Sequence, residues 1–395
     1  MPSESILDGA ERRINEHRKA DAALTFTDAA GRPLPGARAR VTLKRHEFRI
    51  GANAFCVSGI DDPGIQRAYH ERFAGLFNYA TLPFYWGGYE STPGAAAEER
   101  LRSMAAWCRD NAVTPKGHPL VWHEVFPKWA DALPDAQVLD RLQQRVRSIV
   151  SAFNGLIDIW DVVNEATVSH RFDNAVGRWI KERGATGCVA DALGWANAAN
   201  PGAVLLYNDF NVGQEMERLL EGLKKHNAPV HAIGIQSHMH KGVWPLERLW
   251  ETCETYAFFG LSLHFTEATV LSGRLKAQDD NDWHKRQDDW LTTPEGEETQ
   301  ADYGRRFYTA LFSHPAVEAI TWWDFSDLRS WQGAPAGLVR KDMSPKPLYD
   351  WLLEAFHKRW MTDEAVSAGP DGSAETRLFF GHYEAQVVAA SGDTL

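Results

Sequence analysis

Two glutamates sit where a folded chain can put them to chemical use. Glu165 ends the apolar run IDIWDVVNE, and Glu267 ends LSLHFTE. A carboxylate placed directly after a buried strand is held in a costly setting. Retaining cleavage of a glycosidic bond asks for such a pair, two carboxyl groups about 5 Å apart, one attacking the sugar and the other protonating the leaving oxygen. Either glutamate alone reads more readily as an ion-pair partner or a helix cap. Two of them, each set among Asn, His and Trp, turn the reading toward paired-carboxylate catalysis.

Positioning residues so remote in sequence requires a repeating scaffold. Eight short apolar runs, FRIGANAF, NYATLPF, TPKGHPLVW, IDIWDVVNEA, AVLLYNDFN, HAIGIQSH, LSLHFTEATV and AITWWDFSD, alternate with helical stretches. That alternation predicts an α/β fold, a (β/α)8 TIM barrel, whose active sites form at the C-terminal ends of the strands. Most of the runs end in polar or aromatic residues, as such a site requires. The two ends of the chain read differently. Residues 3–20 space Ile6, Ala10, Ile14 and Arg18 as an amphipathic helix with Ser3 or Ser5 as its cap. Residues 23–50 and RLFFGHYEAQVVAA near the C-terminus alternate in the manner of antiparallel strands. We therefore expect an N-terminal extension over 1–45, a catalytic barrel over 46–360, and a C-terminal β extension over 361–395 that packs on the N-terminal strands.

Length and composition agree. A barrel of this type takes about 250 residues plus additions, and the chain has 395. The 16 tryptophans are abundant for this length and offer flat faces for sugar rings. A formal net charge of -11 argues against a nucleic-acid partner, which is held by Lys and Arg clusters. No run of about 18 apolar residues suggests a membrane span, and the polar N-terminus lacks the apolar stretch of a secretory signal, so a cytoplasmic protein is expected. Cys56, Cys108, Cys188 and Cys253 are dispersed and read as free thiols. No metal or other cofactor is called for, and the sequence does not fix the oligomeric state.

Seven segments then give the chain a resemblance. GHPLVWH (117–123), WDVVNEA (160–166), LLYNDFN (205–211), IGIQSHMH (233–240), FTE (265–267), QADY (300–303) and TWWDFSDLRSW (321–331) match in order and spacing glycoside hydrolase family 10, the β-1,4-xylanase family, over residues 46–358. The resemblance implies that Glu165 is the acid/base and Glu267 the nucleophile. It also implies that His118, Trp122, Asn164, Gln236, His238, Trp323 and Trp331 line the sugar-binding cleft. Asn164 would donate to the sugar hydroxyl beside the reacting carbon, while Gln236 and His238 would hold the Glu267 carboxylate. Trp323 and Trp331 would stack on sugars, whereas Trp322 reads as core.

The chain departs from that family in two places, and carries one long insertion. After the second barrel strand, most family members carry a Glu-Asn pair and a Lys that bind sugar hydroxyls. Here the loop is two residues shorter and reads Leu82, Pro83, Phe84, Tyr85, an apolar wall that adds Tyr85 and Trp86 to the substrate-binding candidates and weakens the case for xylan. Thr269 stands where the family has an Asp that orients the histidine, so His238 should lose support for its charged form. The acidic stretch 274–298, with Trp283 and Trp290, is either a solvated insertion or a loop that shapes the cleft. The leading expectation is a retaining hydrolase of β-1,4-linked xylose-containing oligosaccharides. Release of a mono- or disaccharide from a plant natural-product glycoside is the alternative, and a catalytically dead sugar-binding barrel is a third.

Overall fold

The structure is a computed structural model that describes residues 2–390; the last five residues of the expected C-terminal extension, 391–395, lie outside the described residues. Strands β1 (Lys19–Thr25) and β2 (Arg38–His46) come first. They are followed by β3 (Arg49–Asn53), β4 (Tyr79–Pro83), β5 (Thr114–His118), β6 (Ile159–Asn164), β7 (Val204–Asp209), β8 (Ala232–Met239), β9 (Ser262–Val270) and β10 (Val317–Trp322). These eight close into a barrel in the order β10-β3-β4-β5-β6-β7-β8-β9; six of the expected apolar runs contain a whole strand, while β8 runs one residue past HAIGIQSH and β10 begins two residues before AITWWDFSD. All neighbouring pairs are parallel. Parallel strands are covered on both faces, which is why these runs are continuously apolar rather than alternating. All six residues of β6, for example, are buried.

Helices wrap the outside and start where the sequence supplies caps. Asp62 accepts from the backbone N–H of Gly64 and Ile65 to open Pro63–Leu76, and Thr293 accepts from Gly296 to open Pro294–Ser313. Between the barrel and its helices a small residue faces a large one, since Trp160 points outward onto Phe84 and Phe153. A Cβ on Gly117 would lie 2.1 Å from the Trp160 ring, so this glycine in β5 makes room for an indole in β6.

Two ladder irregularities precede the site glutamates. Between β6 and β7 the register shifts between Asp161 and Val163; between β8 and β9 it shifts between Ile235 and Gln236, leaving Thr266 extra and setting Gln236 beside Glu267. Bulges of this kind re-aim side chains next to active sites.

The chain ends pair across the whole sequence. β1 runs antiparallel to β12 (Ser373–Phe379), while β2 lies between β11 (Asp363–Ser367) and β13 (Gly381–Val388). The two N-terminal strands thus pair with C-terminal partners instead of with each other. Phe26, Ala37, Val41, Val366 and Leu378 form the small core of this appendage. The N-terminal helix is broken at Gly9 into Ser3–Asp8 and Ala10–His17, and neither Ser3 nor Ser5 caps it. Ser3 turns instead to Glu247, to which its backbone N–H donates at 2.8 Å. Among the described residues no helix is long and apolar enough to cross a membrane.

Candidate active site

Glu165 follows the last residue of β6 in a left-handed conformation, φ 58° and ψ 39°. A non-glycine residue pays for that geometry, and its backbone N–H is held by a 2.8 Å bond to the carbonyl of Asn208 on β7. The carboxyl group is buried. Oε1 accepts from Asn164 Nδ2 (3.0 Å) and Gln236 Nε2 (2.9 Å), and Oε2 accepts from Trp122 Nε1 (3.2 Å). Burial drives its pKa up to about 8, against the pull of the Gln236 hydrogen bond and with a further push from the Glu267 charge.

Glu267 lies within β9, also buried. Oε1 accepts from Asn208 Nδ2 (2.8 Å), and Oε2 lies 2.9 Å from His238 Nε2. Burial raises this carboxyl to about 7, while His118, Lys116 and the Asn208 hydrogen bond oppose the rise. Asn164 joins the two carboxyl groups, because its Oδ1 accepts from both Asn208 (2.8 Å) and Gln236 (3.2 Å). A chain of amides therefore fixes one carboxyl relative to the other.

The histidines are oriented from behind. His238 is pushed down to about 3 by burial and is neutral. Its Nδ1 meets the Thr269 hydroxyl at 2.9 Å. With Nε2 donating to the Glu267 carboxylate, Nδ1 has no hydrogen and accepts from Thr269. His118 Nδ1 lies 2.8 Å from Asp161 Oδ2, and its Nε2 lies 3.8 Å from Glu267 Oε1. Asp161 is fully buried. Burial would raise its pKa, but the Lys116 ammonium at 2.6 Å and His118 outweigh that effect and hold it below the ordinary value.

Above these groups opens a cleft of about 850 Å³ that takes in Glu165, Glu267, Asn164, Gln236, His118, His238, Trp122, Trp323, Trp331 and Tyr85. Ten of the eleven residues expected at the site are thus together. Trp86 is not. It begins a short helical turn, Trp86–Tyr89, and is buried against Phe126 and Trp129 with its Nε1 on Glu90. Of the expected apolar wall, only Tyr85 reaches the cleft, since Leu82 and Phe84 are fully buried and Phe84 packs on Phe153 and Trp160. Gln236 also differs from expectation: it donates to Glu165, not Glu267.

Trp322 lies in the core, as expected, with Nε1 bonded to the Ala336 carbonyl at 2.7 Å. The insertion is shorter than 274–298, because the helix Pro294–Ser313 takes its last residues. Its two tryptophans part ways. Trp290 is buried with Leu271, Ala334 and Ala336, whereas Asn281, Asp282, Trp283 and His284 line the cleft.

Sequence reasoning missed Asn208, the donor that touches Glu267 and Asn164 at once, and the Lys116–Asp161 pair behind His118. Asn208 lies in LLYNDFN, and a polar amide closing an apolar strand beside two others of the kind was the available clue. Gly234 makes its seat, because a Cβ there would lie 2.4 Å from Asn208 Oδ1.

Two carboxyl groups bound into one amide network, under an aromatic-walled cleft, can divide nucleophilic and proton-transfer work on a sugar. Comparison with known proteins leads the same way. The profile described as Glycosyl hydrolase family 10 matches residues 85–355. Endo-1,4-beta-xylanase B of Thermotoga neapolitana is 29% identical over 267 residues, covering 63% of this chain and 71% of that protein. Endo-1,4-beta-xylanase A of a Caldicellulosiruptor strain is 28% identical over 270 residues, covering 62% of this chain but only 37% of its own length. Among solved structures, xylanase 10B from Thermotoga petrophila RKU-1 in complex with xylobiose is similar at a TM-score of 0.64 and 25% identity, over 78% of this chain and 95% of that one. With the fold, the paired carboxyl groups and a family match across most of the chain in agreement, the protein belongs to glycosyl hydrolase family 10.

Proposed function

We propose that the protein is a retaining β-glycosidase that cleaves β-1,4-linked xylose-containing oligosaccharides by double displacement. The observation that carries this reading is the unequal setting of the two carboxyl groups. Glu267, the lower of the two at about 7, is gripped by Asn208 and His238. Glu165, pushed further up by burial and by the nearby Glu267 charge, is in this reading the group that holds the proton. The Glu267 carboxylate attacks the anomeric carbon while Glu165 gives its proton to the departing glycosidic oxygen, so the C–O bond breaks as the glycosyl ester forms. The ester removes the charge beside Glu165, whose pKa then falls. Glu165 next takes a proton from water as that water attacks the anomeric carbon, releasing Glu267 as carboxylate. Asn164 Nδ2 is available to a sugar hydroxyl next to the reacting carbon, and Trp323 and Trp331 offer ring faces to the sugars.

A second reading, release of a mono- or disaccharide from an apolar natural-product glycoside, is favoured by a specific feature. Val125 and Phe210, two of the large apolar side chains left exposed (45% and 37%), line the cleft with Phe172 on the side of Glu165, where the leaving group must sit. Hydrolysis of aryl β-xyloside, β-xylobioside and β-glucoside beside soluble xylan, with Glu267→Ala in parallel, separates the two. Turnover of xylan supports the oligosaccharide reading, and turnover of aryl glycosides alone supports the second. Tight sugar binding with no turnover by the unmodified enzyme would leave only a binding protein.

A further inference from the structure

The insertion after β9 touches the far side of the barrel. Its stem is closed by the bridge between Gly273 and Thr292. In the closed strand order β5 lies four strands from β9 in either direction, directly across the mouth. Yet Oε1 of Glu124, a few residues beyond β5, lies 3.4 Å from Nδ1 of His284 in the insertion. The insertion after β9 and the loop after β5 thus meet across the mouth, and Asn281, Asp282, Trp283 and His284 line the same cleft as Glu124, Glu165 and Glu267.

The near part of the span is well anchored. Lys241 Nζ donates to the Gln278 carbonyl (2.8 Å) and to Asn281 Oδ1 (3.0 Å), and Lys276 Nζ donates to the Asp282 carbonyl (2.9 Å). Trp283 stacks on Trp331 with centroids 5.9 Å apart and planes 17° apart, and both ammonium groups lie over its ring at 5.5 and 5.3 Å. At the far end stands the Glu124–His284 contact. His284 is 71% exposed while Glu124 is half-buried at 26%, and a contact with one partner in solvent holds weakly. One end is therefore built as a fixed wall and the other as a releasable latch.

We propose that residues 281–284 form a strap, latched by Glu124 and His284, that roofs the cleft over the two glutamates and selects substrates by length. This rests on the catalytic reading of Glu165 and Glu267 given above. Short oligosaccharides and terminal glycosides fit beneath the strap. The interior of a polymer cannot be laid in from above, because the strap crosses the path its chain would take. The cleft's volume, about 850 Å³, is in the range of a small-molecule site.

Three variants test this: His284→Ala and Glu124→Gln, which unlatch the strap, and replacement of residues 278–285 by a short Gly-Ser turn, which removes it. The readout is the ratio of kcat/KM on soluble xylan to kcat/KM on aryl β-xylobioside. The latch variants should raise that ratio by up to about fivefold, the upper end for a surface contact of this kind. Removal of the strap should raise it by about tenfold or more. An unchanged ratio in the soluble, folded latch variants and in the replacement would overturn the proposal; should the replacement fail to fold, the latch variants decide alone. In a Glu267→Ala background, calorimetric binding of xylohexaose against xylobiose judges the strap without turnover. There, tighter xylohexaose binding after unlatching supports the strap, and no change counts against it. Absence of turnover in the parent enzyme would count against the catalytic reading and not against the strap.

Discussion

Glu165 accepts hydrogen bonds from three neutral donors, whereas Glu267 shares a neutral histidine whose rear nitrogen faces a hydroxyl, and these settings predict how activity responds to pH. In the proposed mechanism Glu267 is ionised and Glu165 protonated, so kcat/KM should rise through about 7 and fall through about 8, a narrow bell. Thr269→Asp would give His238 Nδ1 an anionic acceptor in place of a hydroxyl. That favours imidazolium, and a cation 2.9 Å from Glu267 favours its carboxylate. The rising limb should therefore move to lower pH, and a pH profile identical to that of the parent would contradict the assignment. Asn208→Ala removes the donor to Glu267 and leaves Asn164 Oδ1 with one partner fewer. A charge-assisted hydrogen bond is worth about 1.5–3 kcal/mol, so kcat should fall roughly 10- to 100-fold with the fold intact by circular dichroism. The two glutamates were legible because carboxylates closing apolar strands are conspicuous by type. Asn208 was not, because its importance lies in reaching two neighbours that only the closed barrel brings near.

Strands were the most legible elements, since continuous apolar runs of the right length have few other ways to be buried, and every barrel strand overlaps one of the expected runs, with only β8 and β10 reaching one or two residues beyond. What alternation could not reveal was the bulge. Thr266, extra in β9, puts Glu267 level with Gln236, and Gln236 then reaches across β7 to Glu165. A periodicity argument counts residues evenly and misses that step. Trp86 was misplaced for a related reason, because the chain leaves β4 in a helical turn that carries the indole under the wall instead of into the cleft. Two glycines of the barrel separate support from function. Gly117→Ala drives a Cβ into the Trp160 ring, a contact that involves neither glutamate nor a hydrogen-bond donor to one, and overpacking of this sort costs about 1–3 kcal/mol. Gly234→Ala drives a Cβ into Asn208, so the loss should fall on kcat. Urea denaturation and steady-state kinetics on both variants should show the two effects parting: a lower midpoint mainly for Gly117→Ala, a lower kcat mainly for Gly234→Ala. Equal loss of stability and of activity in both would show that the outer and inner faces of the barrel strands do not divide in this way.

At the scale of the molecule, chemistry occupies one end of the barrel and closure the other. Strand alternation at both chain ends made an appendage expected, but not that a buried arginine, hydrogen-bonded only to backbone carbonyls, sits where it meets the barrel. Arg18 follows the helix Ala10–His17 and precedes β1, and its own carbonyl accepts from Phe380 at 3.0 Å. Its guanidinium donates to the carbonyls of Phe312 (2.7 Å), His314 (2.6 Å) and Val317 (2.7 Å) and lies 4.7 Å from the centre of the Phe48 ring. Those carbonyls mark the end of the helix Pro294–Ser313 and the start of β10, where a helix leaves acceptors unpaired and favours a cation. Burial lowers the guanidinium pKa to about 10, so it is charged across the working range. Arg18→Met keeps most of the volume but strands three acceptors in a buried place, which should cost about 2–4 kcal/mol. Because barrel catalysis is confined to the opposite face, kcat and KM below the melting transition should match those of the parent. A variant that loses activity while fully folded would show that the bottom of the barrel communicates with the cleft. A variant that keeps its stability would show that the appendage, rather than Arg18, closes this end.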